Sequence, residues 1–124
     1  MELTYREILG IKDYLIEFQG DPQILDQEVR GISINSQKIQ PEEIFVAIKG
    51  EKFDGHDFVA EVFSKGAKLC IVGKEWYQKQ DETVVNGNFF IVEDTLTALQ
   101  NLSRYYRLKF EMPVIALTGS NGKT

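Results

Sequence analysis

Cysteine and histidine are nearly absent from this chain, and each scarcity removes a class of explanation. With Cys70 the single cysteine among 124 residues, no disulfide framework can form within the chain. With His56 the single histidine, and no cysteine close to it in sequence, a zinc site built from Cys and His is a poor reading. No apolar run approaches the ~20 residues that span a bilayer, and the start Met1-Glu2-Leu3-Thr4 lacks the cationic and then apolar character of a secretory signal. Positive charge is in deficit: 14 Lys and Arg against 19 Asp and Glu leave a net charge of −5, with the signs interspersed. There is no basic stripe for nucleic-acid phosphates and no polybasic segment for anionic lipid. The expectation is a cytoplasmic protein with neither nucleic acid nor membrane as a partner.

What is present suits one ordinary core. Hydrophobic residues make up 43% of the chain, and a length of 124 residues fits one domain plus a stub. Thr4 and Glu7 have the spacing of a capping box, predicting a short helix up to Gly10. A β-prone run over 14–18 predicts an early strand. Alternation over 29–36 predicts a half-buried strand with Ile32 and Ile34 on one face and Ser33 and Asn35 on the other. The apolar run 44–48 reads as an interior strand, with Lys49-Gly50 ending it. Phe58, Val59, Val62 and Phe63 recur at helical spacing behind Asp57, a candidate N-cap, and Gly66 fits a left-handed cap at the helix end. A strand over 67–72 then completes a β-α-β unit with parallel strands, in which Cys70 is a buried core residue and not a reactive thiol. Trp76 and Tyr77 fall in a short helix, Asn86-Gly87-Asn88 is a turn, and 89–92 is a further strand. The longest helical pattern opens at 93–95, with Leu96, Leu99, Leu102 and Tyr106 on one stripe, and ends before Pro113. The fold class expected is α/β: a small mixed or parallel sheet with flanking helices.

The last stretch has the shape of a phosphate-binding turn. Val114 to Leu117 suits a buried strand, after which Gly119 and Gly122 allow backbone N–H groups to turn inward on an anion. In that reading Gly119, Ser120, Asn121, Gly122, Lys123 and Thr124 bind ATP, with Lys123 a point charge and the Thr124 hydroxyl a Mg²⁺ ligand. Leu117 stands where the general pattern has its first glycine, so only a shorter Gly-x-x-Gly-Lys-Thr survives, and an ordinary glycine turn is the other reading. Such cradles use the N-terminus of the following helix. The chain therefore reads as an N-terminal fragment: residues 1–110 form one domain, and 111–124 are the first strand and loop of a second, ATP-binding one.

Taken together, Gly31-Ile-Ser-Ile-Asn-Ser-Gln-Lys38, residues 44–50, Phe53-Asp-Gly-His-Asp-Phe-Val59, Lys65-Gly-Ala67, Val92-Glu-Asp-Thr-Leu96, Tyr105-Tyr-Arg107 and residues 113–124 resemble the N-terminal part of the Mur ligases. The resemblance is nearest to the branch that adds D-alanyl-D-alanine. It implies a first domain holding the UDP end of a UDP-N-acetylmuramoyl peptide, and an ATP- and Mg²⁺-dependent reaction in which the substrate carboxylate becomes an acyl phosphate. The D-alanyl-D-alanine amine, bound by a further C-terminal domain, then displaces phosphate. A monomer is expected, and the fragment alone is expected to be inactive. The family's UDP strand usually reads Ser/Thr-Asp-Ser-Arg, where this chain has Ile34-Asn35-Ser36-Gln37. A neutral Asn and Gln thus replace a charged pair, and weaker hold on the diphosphate follows.

The UDP-binding candidates are Ser33, Asn35, Ser36, Gln37, Lys49, Gly50, Asp54, Gly55 and His56. Each has a plainer reading. The strand face of Ser33, Asn35 and Ser36 could be merely solvated, His56 could brace its loop instead of touching a ligand, and Asp54 and Asp57 suit capping better than paired acid/base work. Two alternatives stand beside the leading function: a sister ligase of the same family that adds the third peptide residue, and a stand-alone nucleotide-binding or interaction module.

Overall fold

Three apolar runs, ending at Ala47, Val72 and Val92, are buried on both faces, as strands inside a parallel sheet must be. The computed structural model describes residues 3–11, 16–80 and 87–110, with side chains as far as Tyr106. The expected strand at 114–117 and the loop residues Gly119, Ser120, Asn121, Gly122, Lys123 and Thr124 lie outside the described residues, as do Tyr14, Leu15 and Asn86.

The elements in chain order are α1 (Tyr5–Leu9), β1 (Glu17–Gln19), a 3₁₀ turn (Pro22–Asp26), β2 (Ile32–Ser33), β3 (Ile44–Val46), a second 3₁₀ turn (Gly55–Phe58), α2 (Val59–Ser64), β4 (Leu69–Gly73), α3 (Lys74–Gln78), β5 (Phe89–Val92) and α4 (Thr95–Phe110). One sheet holds the strands in the order β1-β5-β4-β3-β2. Strands β2 to β5 run parallel, and β1 closes the far edge antiparallel to β5, with Phe18 opposite Phe90. The α/β class and the parallel β3-α2-β4 unit are as expected.

Side chains alternate across this sheet with period two. Ile44, Val46, Leu69, Ile71, Phe90 and Val92 pack under α1 and α4, whereas Phe45, Ala47, Cys70, Val72, Phe89 and Ile91 pack under α2 and α3. Each fully buried side chain of this size contributes about 1.5–3 kcal/mol, so the central strands hold the fold. Burial also pushes the Cys70 thiol well above its ordinary pKa, which suits an inert core residue. The capping box forms: the Thr4 hydroxyl accepts from Glu7 N–H at 3.2 Å, and Glu7 Oε1 accepts from Thr4 N–H at 3.0 Å.

Four expectations need correction. Strand β2 stops at Ser33, and Ile34 is 42% exposed. There Ser33 Oγ accepts from Asn35 N–H at 3.1 Å and Asn35 Oδ1 accepts from Gln37 N–H at 2.8 Å, so side chains replace the strand ladder. Asp57 caps no helix: a 3₁₀ turn capped by Asp54 precedes α2, which starts at Val59 without a side-chain cap. Leu96 is exposed, because the buried stripe of α4 runs through Thr95, Ala98, Leu99, Leu102 and Tyr106. A step of about 100° per residue carries Leu96 off that stripe. The early strand begins only at Glu17 among the described residues.

Gly66 does take a positive φ of +101°, and an added Cβ would lie 3.2 Å from Pro41 Cα. Gly66→Ala should therefore cost about 1–3 kcal/mol in chemical denaturation. Gly10→Ala, at φ −92° and with an added Cβ meeting only Arg6 O at 3.5 Å and Glu7 O at 3.9 Å, should cost less than that. Equal effects would contradict the backbone account.

Candidate functional site

The parallel strands all end on one edge of the sheet, where ligands of open α/β sheets gather. The chain leaves β2 through the turn at 34–37, β3 through the loop at 47–55, β4 at Gly73 and β5 at Glu93 to Thr95. The β3 loop is the organiser. Lys49 and Asp54 form an isolated bridge, Gly50 N–H donates to Phe53 O at 2.7 Å, and Gly55 N–H donates to Ile48 O at 2.9 Å. Glycine is required at 55, since a Cβ there would sit 2.8 Å from Ile48 N.

That loop divides the edge into two clefts. The first, about 350 Å³, has an apolar wall of Ile34, Phe45, Ile48, Phe53 and Phe58 and a polar rim of Asn35, Ser36, Gln37 and Gly55. Ile34 and Phe53 are exposed, Phe53 at 71%. Lys65 Nζ donates to Ser36 O at 2.8 Å and pairs with Glu61 at 3.1 Å, tying the rim to the end of α2. The second cleft, about 330 Å³, is polar: Lys49, Asp54 and His56 face Glu75, Trp76 and Lys79 from α3 and Glu93, Asp94 and Thr95 at the start of α4.

His56 is buried, and both ring nitrogens are engaged. Nε2 accepts from Gly73 N–H at 3.0 Å, and Nδ1 meets Asp54 Oδ1 at 2.7 Å. A backbone N–H can only donate, so the proton lies on Nδ1 and is donated to Asp54. The ring also packs on Trp76, with centroids 5.3 Å apart. Partial burial, the largest single influence, pushes the Asp54 carboxyl up. The hydrogen bonds from the His56 ring and backbone, with the charge of Lys49 nearby, outweigh it and hold Asp54 below the usual carboxylate range.

The predicted site residues are therefore split. Asn35, Ser36, Gln37 and Gly55 line the first cleft, and Lys49, Asp54 and His56 the second. Ser33 and Gly50 line neither, because the Ser33 hydroxyl is used in the β2 turn and Gly50 closes the β3 loop. Sequence reasoning missed Ile34, Phe45, Ile48, Phe53 and Phe58 as the apolar wall of a cleft. The available signal was Phe53, a lone aromatic in the polar stretch 51–57. Chemically, the first cleft offers aromatic and aliphatic side chains with amide and hydroxyl groups at its rim. Among the described residues no group of three or more His, Cys, Asp or Glu is placed to hold a metal ion.

Residues 28–107 match the family model described as "Mur ligase family, catalytic domain". The chain belongs to the Mur ligase family. This Mur ligase chain is 33% identical over 119 residues to the UDP-N-acetylmuramoyl-tripeptide–D-alanyl-D-alanine ligase of Bacillus subtilis, covering 96% of itself and 25% of that protein. It is also 33% identical over 124 residues to UDP-N-acetylmuramoyl-L-alanyl-D-glutamate–2,6-diaminopimelate ligase 2 of Clostridium acetobutylicum, covering 98% and 24%. Among solved structures, MurF from Acinetobacter baumannii superposes with a TM-score of 0.66 at 27% identity, over 86% of this chain and 21% of that one. The chain thus spans about a quarter of the length of the curated relatives it matches. No helix among the described residues is long and apolar enough to cross a membrane.

In this Mur ligase chain the depressed pKa of Asp54 has a definite sign for stability. Its contribution is present above the unfolded carboxyl value of about 4 and is lost as pH falls through the lower folded value. Asp54→Asn keeps a capping oxygen but removes the charge. The gap in Tm between wild type and Asp54→Asn should be widest near neutrality and close on acidification; a gap independent of pH would contradict the assignment.

Proposed function

We propose that the chain is the sugar-nucleotide-holding part of a cytoplasmic, monomeric amide-bond ligase of peptidoglycan precursor synthesis, with the uridine end of a UDP-N-acetylmuramoyl peptide seated in the first cleft. The observation that carries the reading is that cleft itself: aromatic and aliphatic side chains under a rim of Asn35, Ser36 and Gln37, at the carboxyl edge of a sheet in a Mur ligase. A uracil ring stacks on exposed aromatic surface, and its carbonyl and N–H groups pair with amide side chains. The diphosphate has weaker support. Gln37 is neutral, and Lys49, one of two lysines in the dividing loop, lines the second cleft, in a chain whose net charge is −5.

In the whole protein, the reading assigns ATP to Gly119 through Thr124, with Thr124 a Mg²⁺ ligand, and assigns residues 1–110 to the UDP substrate and 111–124 to the start of the ATP domain. Bound ATP would supply the phosphoryl group that activates the substrate carboxylate as an acyl phosphate, and the amine of D-alanyl-D-alanine would displace it. The described residues serve to bind and orient the nucleotide end, so the chain by itself should not catalyse the reaction. The second reading, addition of the third peptide residue, is favoured by the equal identity to the diaminopimelate-adding relative.

An amide NMR titration tests this. UDP-N-acetylmuramoyl tripeptide should shift Ile34 to Gln37 and Phe53 to Phe58, while ATP with Mg²⁺ leaves those signals in place. Preference for the dipeptide form would favour the second reading. No response to either muramoyl ligand at millimolar concentration would overturn the proposal.

A further inference from the structure

We propose that His56 is a positioning residue: as a neutral ring protonated on Nδ1 it latches the loop between the two clefts to the end of β4, and protonation of the ring releases that latch. The inference rests on the first cleft being the nucleotide site, and it adds a residue that acts on that site without touching the ligand.

The chain of bonds is short and directional. Gly73 N–H donates to Nε2 at 3.0 Å, Nδ1–H donates to Asp54 Oδ1 at 2.7 Å, and the same Asp54 oxygen accepts His56 N–H at 3.0 Å. His56 thereby joins the carboxyl end of β4 to the turn that begins at Asp54. The next residue, Gly55, lies against the backbone of Ala47 and Ile48 and lines the first cleft, and Phe53 precedes Asp54 on the same wall. Displacing the ring therefore moves a wall of the first cleft, although the ring itself faces the second.

Protonation changes the pattern in one place. A doubly protonated imidazole donates from both nitrogens, so the bond to Asp54 survives while Nε2–H confronts Gly73 N–H, two donors with no acceptor between them. Losing a buried hydrogen bond and leaving its donor unpaired costs enough to shift a local equilibrium. The charged groups sharing the cleft are Lys49 from the end of β3, Asp54 beside the ring, Glu75 and Lys79 from α3, and Glu93 and Asp94 ahead of α4. The His56 ring packs on Trp76 of α3 with centroids 5.3 Å apart, so a shift of the ring away from Gly73 also changes its contact with α3.

The test compares the 124-residue chain with His56→Gln and His56→Phe. Glutamine can accept from Gly73 N–H and donate to Asp54 but cannot be protonated; phenylalanine keeps the ring and loses both bonds. Ring ¹⁵N spectra of the wild type, read at the alkaline end of a pH series, should show a protonated Nδ1 and a bare Nε2. On acidification the Gly73, Phe53 and Gly55 amides should move together with the ring, and the same amides should stay still in His56→Gln. Titration with the UDP-muramoyl peptide should give about tenfold weaker binding in His56→Phe and a change within about threefold in His56→Gln, with wild-type binding weakening as the ring protonates. A neutral ring carrying its proton on Nε2, loop amides indifferent to ring protonation, or wild-type affinity in His56→Phe would each overturn the latch. If the wild type binds no muramoyl ligand, the functional reading fails, and the latch still stands or falls on the ring and amide signals.

Discussion

Burial of β3 on both faces is the constraint from which the rest follows. Ile44 and Val46 face one core, Phe45 and Ala47 the other, and all four are at most 1% exposed. Moving this strand would open apolar surface on two sides at once, at roughly 25 cal/mol for each Å² exposed. Its backbone is therefore a fixed rail. Gly55 lies against that rail with no room for a Cβ, and Gly55 N–H is bonded to Ile48 O, so the loop dividing the clefts takes its position from the core. The site residues are on loops, and the sheet decides where those loops stand.

Much of the scaffold was legible because its signals are local and strong. The apolar runs at 44–48, 67–72 and 89–92 read as strands, the first of them as an interior one, and the Thr4–Glu7 spacing read as a helix start. The turn after β2 was harder. Alternation alone extended the strand through Ile34, whereas the hydrogen bonds that end it come from Ser33 and Asn35 side chains reaching two residues ahead. Asp57 and Asp54 were equally good caps on paper. What separates them is a 3₁₀ turn stabilised by His56, a pairing that also needs Gly73, seventeen positions away. The same distance effect hid the division of the site. Residues adjacent in sequence at 54–56 line opposite sides of the loop, and only the folded edge shows which faces Phe45 and which faces Trp76.

The departures from the family's usual UDP strand take on meaning in this geometry. Asn35 spends its side-chain oxygen on the Gln37 backbone, a bond that an aspartate would also make, so the turn survives the loss of charge. Gln37 is exposed at the cleft rim and offers a neutral amide where a guanidinium would add charge. The chain is 33% identical both to a D-alanyl-D-alanine-adding and to a diaminopimelate-adding relative, over about a quarter of the length of each.

The central claim is that the uridine base lies against Phe53 and Phe58 in the first cleft. Intermolecular nuclear Overhauser effects between the uracil ring protons of a bound UDP-muramoyl peptide and side-chain protons of the chain test it most directly. The account predicts contacts from the uracil protons to the Phe53 and Phe58 rings and to the Ile34 methyl groups. Contacts to Trp76 or Thr95 in their place, across the loop in the second cleft, would contradict it.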